Sequence, residues 1–283
     1  MRRDDVPGVR YCTVHGYPLA YVEAGTHLPA LLLVHGSIND YRSFDAQLGP
    51  LSTCARTIAV SLRHAYPERW DGQGDDFTVE QHAADLAAFV EAQGQGTMHV
   101  LGHSRGGAVA LQLALAHPRA VRSLILADPG GLEALLPPSA EGEAMARQSG
   151  AMFARLRESL ARSDDTAALA RFVDDLNGPG AWDRRTPAQR QAMLDNVRTG
   201  PACAQRPSFT REQIASLAVP ILPVTGAHSP PRYRRMLDAM REINAGVRPV
   251  VVVEGAAHAM HRENAPAFDA AVRAFLAALP TAP

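Results

Sequence analysis

Net charge is what this sequence has least of. Lysine and arginine together total 28, aspartate and glutamate 29, giving a formal charge of -1 over 283 residues. Such a balance sets up no broad field to gather nucleic acid or an anionic membrane. Cysteine is scarce as well. Cys12, Cys54 and Cys203 are isolated and odd in number, which argues against a disulfide framework or a CxxC metal site and suits reduced thiols. No apolar run approaches the ~18 residues of a membrane helix. The arginine-bearing start, Met1 to Arg10, has no apolar stretch behind it and so does not read as a secretory leader. Phosphate-loop and dinucleotide fingerprints are missing, and the 11 histidines are scattered without metal-ligand spacing. What remains is a small-molecule protein, expected in the cytoplasm, with no cofactor, metal, nucleic acid or membrane partner. A homodimer is compatible with every one of these exclusions.

What is present is an ordinary globular mixture, 46% hydrophobic and 20% charged, long enough to bury a large core. Tyr11 to Val14, the turn His15-Gly16 and Leu19 to Glu23 read as a hairpin. Ala30 to Val34 is a continuous apolar run that suits a strand buried on both faces, and Arg56 to Val60 is another short strand. Helical spacing fills Thr78 to Gln93, with Thr78 as its N-cap. Strand Met98 to Leu101, a tight turn Gly102 to Gly107 and helix Ala108 to Ala116 come next, then strand Leu124 to Ala127. Strands Pro220 to Thr225 and Pro249 to Val253 are each followed by a helix, Arg232 to Ile243 and Pro266 to Leu279. Strand alternating with helix predicts an α/β fold, a mostly parallel doubly wound sheet.

Between 131 and 218 that rhythm stops. Glu143 to Arg162, Asp165 to Leu176 and Pro187 to Val197 read as amphipathic helices, and no strand-like run occurs. The chain therefore divides into a core, 1–130 with 219–283, and a helical insertion, 131–218, lying over one edge of the sheet. Met145, Met152, Phe153, Phe172, Trp182 and Met193 in that insertion are either its own core or the lining of a pocket.

The chemistry concentrates in Gly102-His103-Ser104-Arg105-Gly106, a G-x-S-x-G nucleophile elbow between an apolar strand and an alanine-rich helix. Small residues let strand and helix approach closely, and the helix directs its free N–H groups at the site. A serine hydroxyl needs a positioned base. His258, in the loop after the strand ending at Val253, is the candidate. His261 competes but is expected to face solvent or the helical insertion. His35-Gly36-Ser37 ends another strand, so the Ser37 and Arg105 N–H groups can form an oxyanion hole. His35 is either tied to loop backbone or a substrate contact. Arg105 either projects toward the insertion to bind an anion or pairs with a local carboxylate.

From the His35-Gly36-Ser37 segment through the Ser104 elbow to the stretch Gly255 to Asn264, the chain resembles the α/β-hydrolase fold proteins with a helical cap. The resemblance implies the chain order nucleophile, acid, histidine. The family's usual acid turn reads Gly226-Ala227-His228-Ser229 here, with serine where aspartate is expected. A minority of the family carries its acid after the strand that follows the nucleophile helix, and Asp128 occupies that place. Asp128 is thus preferred over Glu254, over His228 and over no acid at all, with capping of the Pro129-Gly130-Gly131 turn as its structural alternative. The family's short loop after the fourth strand is replaced by Ser61 to Pro67, offering Arg63, His64 or Tyr66 to a pocket mouth or simply to solvent. Further candidates for substrate contact are His103, Trp182 and Met260.

The activity implied is a serine hydrolase, forming an acyl-enzyme from an ester, lactone or related substrate with a hydrophobic part. The resemblance also admits carbon–carbon bond hydrolases, cofactor-independent dioxygenases and non-catalytic small-molecule receptors. Haloalkane dehalogenases and epoxide hydrolases are disfavoured, because they need aspartate where Ser104 stands.

Overall fold

The computed structural model describes residues 8–94, 96–162, 164–204 and 207–280. Residues 1–7, the greater part of the Met1 to Arg10 start, lie outside that set. Eight strands form one sheet: β1 (Arg10–Val14), β2 (Tyr17–Ala24), β3 (Leu31–Val34), β4 (Thr57–Val60), β5 (Met98–His103), β6 (Val121–Ala127), β7 (Ile221–Gly226) and β8 (Val251–Val253). Their spatial order is β1-β2-β4-β3-β5-β6-β7-β8. Only the β1–β2 and β2–β4 pairs are antiparallel; every pair from β4 to β8 is parallel.

Alternation along the central strands sorts their side chains between two helical layers. Leu32 and Val34 of β3 pack with helices α2 (Val79–Ala92), α3 (Arg105–Ala116) and α8 (Pro231–Ile243). Leu31 and Leu33 pack on the opposite face with α1 (Asp45–Leu51), α9 (Met260–Glu263) and α10 (Ala265–Ala277). All four leucine and valine side chains are fully buried, as a strand covered on both faces requires. Thr78 caps α2 by accepting from the Gln81 N–H at 3.0 Å.

Between β6 and β7 come α4 (Ala140–Arg162), α5 (Asp165–Asn177), α6 (Pro187–Asp195) and the short α7 (Arg211–Ser216). The sequence pattern foresees the first three; α7 is too short to show a period. Phe153, Leu169, Phe172, Val173 and Met193 form a third apolar cluster there, together with Ile38 and Phe77 from the sheet side. One boundary differs from the pattern. Helix α3 begins at Arg105, directly behind Ser104, not at Ala108. Gly106 and Gly107, which read as turn residues, form its first turn. No helix among the described residues is long and apolar enough to cross a membrane.

Candidate active site

Five parallel strands end along one edge of the sheet, and each delivers a residue there. Gly36 and Ser37 follow β3, Ser104 follows β5, Asp128 follows β6, the Gly226–Ser229 turn ends β7, and His258 lies in the loop after β8. Ser104 has φ 54° and ψ −118°, a conformation costly for any residue with a side chain. The glycines around it make that geometry reachable. A Cβ on Gly102 would stand 2.3 Å from the Gly106 carbonyl oxygen, and one on Gly106 would stand 2.1 Å from that of Val34. Strand, helix and neighbouring strand touch backbone to backbone, which fixes where the serine points. Because α3 starts immediately behind it, the Arg105 N–H at the helix start has no carbonyl one turn back in its own helix to meet, whereas that of Gly107 meets the Ser104 carbonyl at 2.9 Å.

Asp128 also has a positive φ, 43°, as the chain turns out of β6. Its carboxylate is fully buried, and Oδ2 lies 3.1 Å from His258 Nδ1. Since β7 runs between β6 and β8, the turn after β7 necessarily sits beside this contact. Ser229 in that turn donates its hydroxyl to the same Asp128 oxygen at 2.6 Å, while accepting from the Gly226 N–H at 3.1 Å. The residue read from the sequence as a vacancy in the acid turn is therefore a hydrogen-bond donor to the carboxylate next door. Glu254 and His228, the other candidates for the acid, are exposed. The Tyr233 ring stacks on His258 at 4.7 Å with an interplanar angle of 18°. His103 lies on the other side of His258, its Nε2 2.7 Å from the His258 carbonyl oxygen, a bond in which the ring N–H is the donor.

Burial dominates the electrostatics. It holds the His258 imidazole well below its ordinary pKa, and the Arg232 and Arg185 guanidiniums add to the effect. Burial pushes Asp128 upward, opposed by the Ser229 hydroxyl. The resting imidazole is accordingly neutral, the form that accepts a proton.

Ser37, His103, Ser104, Arg105, Tyr233 and His258 line one cavity, closed over by Met152, Phe153, Phe172 and Met193 of the helical segment. Met145 and Trp182 do not reach it. Of His35, Arg63, His103, Trp182 and Met260, offered as substrate contacts, only His103 lines this cavity. His35 is used up by backbone: its Nε2 accepts from the Leu62 N–H at 3.0 Å and its Nδ1 lies 2.8 Å from the Gly36 carbonyl. Arg63 is locked in a two-pronged ion pair with Asp85, at 2.8 and 2.9 Å. Trp182 packs into the core of the helical segment, and Met260 is fully buried under β8. His64 and Tyr66 also stay away from the cavity. The former stacks on Trp70 at 4.5 Å; the latter lies under the Arg42 guanidinium at 3.7 Å.

His261 departs from expectation too. It is fully buried, packed between Phe44 and His103, with Nε2 3.2 Å from Ser43 Oγ. Arg105 is buried and does line the cavity, but its NH2 is directed to the Phe77 carbonyl at 3.2 Å. No periodicity could have revealed Ser229, Tyr233 or the buried His261, because each acquires its neighbours only when the strand ends converge.

A family model described as alpha/beta hydrolase fold matches residues 29–263. The chain is 30% identical to the pimeloyl-[acyl-carrier protein] methyl ester esterase of Neisseria meningitidis, covering 86% of this chain and 91% of that one. An uncharacterized protein of Mycobacterium tuberculosis is 28% identical over 62% of this chain, which spans 56% of that relative's length. Among solved structures, a thermophilic esterase from Thermogutta terrifontis superposes with a TM-score of 0.75 at 25% identity, covering 95% of this chain and 98% of that one.

Proposed function

Because the chain belongs to the alpha/beta hydrolase fold family, we propose that it is a serine hydrolase acting on an ester, lactone or related acyl bond. His258 takes the proton of Ser104 as the hydroxyl attacks the acyl carbon. The N–H groups of Ser37 and Arg105 receive the developing oxyanion, and His258 then protonates the leaving group. Water attacks the acyl-enzyme under the same base. Asp128 holds the His258 tautomer with Nδ1 protonated, so that Nε2 is the basic nitrogen. The helical segment, 131–218, acts as a cap whose methionines and phenylalanines hold the apolar part of a small substrate.

The observation that carries this reading is the 3.1 Å contact between Asp128 Oδ2 and His258 Nδ1, on the cavity that Ser104 also lines. The esterases among the chain's relatives support the choice of acyl chemistry. Ser104→Ala is the direct test. It is expected to abolish release of 4-nitrophenol from 4-nitrophenyl butyrate while circular dichroism stays native. Turnover equal to that of the wild type would refute the mechanism.

A further inference from the structure

The cavity's own charge points to the kind of substrate it takes. Three arginines, Arg105, Arg185 and Arg262, are in its lining, and no aspartate or glutamate is, among the described residues. Asp128 lies beneath, fully buried. Arg105 is directed away, toward the Phe77 carbonyl, with its guanidinium 4.7 Å from the Phe77 ring centre.

The other two cations differ. Arg262 donates to neutral partners, Asn39 Oδ1 at 2.7 Å, Ser43 Oγ at 2.9 Å and His261 Nε2 at 3.3 Å, which orient the guanidinium without an ion pair. Arg185 has a buried Nε with no hydrogen-bond partner. Neither is in an ion pair with a carboxylate among the described residues. Both also line the adjoining surface groove, so they stand where the cavity opens outward. The carboxylate in that groove, Glu263, accepts from the Ala257 N–H at 2.5 Å. Burial and the neighbouring Arg185 charge lower Arg262 to about 10, against the pull of Asp40, Asp45 and Glu263, and Glu263 acts on Arg185 as well. Two partly desolvated like charges at one mouth are costly unless an anion joins them.

We infer that Arg185 and Arg262 form a carboxylate subsite at the mouth of the cavity, so that the substrate is an ester or lactone bearing a second, free carboxylate. This rests on the hydrolase reading and adds a substrate class to it. A guanidinium offers parallel N–H donors matched to the two oxygens of a carboxylate. The free carboxylate is held at the opening while the apolar spacer runs inward past Phe172 toward Ser104.

The test compares kcat/KM for mono-4-nitrophenyl glutarate with that for 4-nitrophenyl butyrate, in wild type, Arg185→Gln and the charge-keeping Arg185→Lys. Wild type is expected to prefer the anionic ester by about tenfold or more; Arg185→Gln collapses that ratio by about tenfold and Arg185→Lys restores part of it. A ratio unchanged by Arg185→Gln overturns the inference. Glutarate binding by calorimetry keeps the two readings apart. If neither ester is cleaved and Ser104 resists a fluorophosphonate, the hydrolase reading fails. Glutarate binding that is lost in Arg185→Gln upholds the subsite even then, and absence of binding to wild type overturns it.

Discussion

Three histidine–aspartate contacts occur among the described residues; beside the exposed His15 on Asp85, the other two differ in burial, and their histidines shift in opposite directions. His64 Nε2 lies 2.7 Å from Asp76 Oδ1, and His258 Nδ1 lies 3.1 Å from Asp128 Oδ2. Asp76 is 38% exposed, whereas Asp128 is completely buried. Burial pulls on His64 as well, but hydrogen bonds and charge from Glu68 and Asp76 outweigh it and raise its pKa above 6.5. His258 has one carboxylate partner and feels Arg232 and Arg185, so its pKa falls. The first pair is a clamp that favours the charged form of an imidazole on a surface loop. The second keeps an imidazole neutral on the cavity that Ser104 lines. A histidine near an aspartate is a base only where water is excluded and surplus negative charge is withheld.

The comparison breaks most visibly on removing each ring. His258→Ala should lower kcat on 4-nitrophenyl butyrate by about a thousandfold, the usual scale for a general base. His64→Gln should leave kcat within about twofold, since its ring lies off the cavity and contributes to folding. Comparable losses in both variants would erase the distinction.

Ser229 sharpens it. On acidification the buried pair takes its first proton on the group whose pKa is raised, Asp128. The Ser229 hydroxyl favours the carboxylate, so Ser229→Ala should raise Asp128 further and move the acid limb of the kcat/KM profile to higher pH. A hydrogen bond to a charged acceptor contributes about 1.5 kcal/mol, which corresponds to about one pH unit. Ser229→Thr, which keeps a hydroxyl, should restore the limb. A profile unmoved by Ser229→Ala would mean that the serine merely fills its turn.

The smallest effect is in stability. His64 has a raised folded pKa, so its contribution is complete below the unfolded value of 6.5 and fades as pH rises through the folded one. Asp76 is lowered, so its contribution is present above 3.8 and fades as pH falls through its folded value. Unfolding free energies of wild type and His64→Gln from urea titration should therefore differ most below pH 6.5, by about 0.5 kcal/mol for a pair near the surface, and the gap should shrink as pH rises above it. A gap that widened with pH would reverse the sign assigned to His64.

Much of this was legible from the sequence because it rested on local pattern. Apolar runs such as Leu31 to Val34 mark strands buried on both faces, and Gly102 and Gly106 mark a close approach of backbones that only glycine permits. The positions of Ser104 and His258 follow from strand ends, and Asp128 from a resemblance. What sequence could not carry was adjacency across strands. Ser229 meets Asp128 because β7 lies between β6 and β8, an order set by the sheet and not by the chain. Arg185 and Arg262 come from the helical segment and from α9, 77 positions apart by their numbers, and share a cavity only after folding. The loop Ser61 to Pro67 does not line the cavity for the same reason: Arg63 pairs with Asp85 on α2.

The central claim is that a neutral His258, oriented by Asp128, activates Ser104. Mass spectrometry of fluorophosphonate labelling, timed in wild type and Asp128→Asn, tests it most directly. A single adduct on Ser104 is expected in wild type, formed faster as pH rises, with labelling slowed about a hundredfold or more in Asp128→Asn. Equal labelling rates in the two proteins, or an adduct elsewhere, would contradict it.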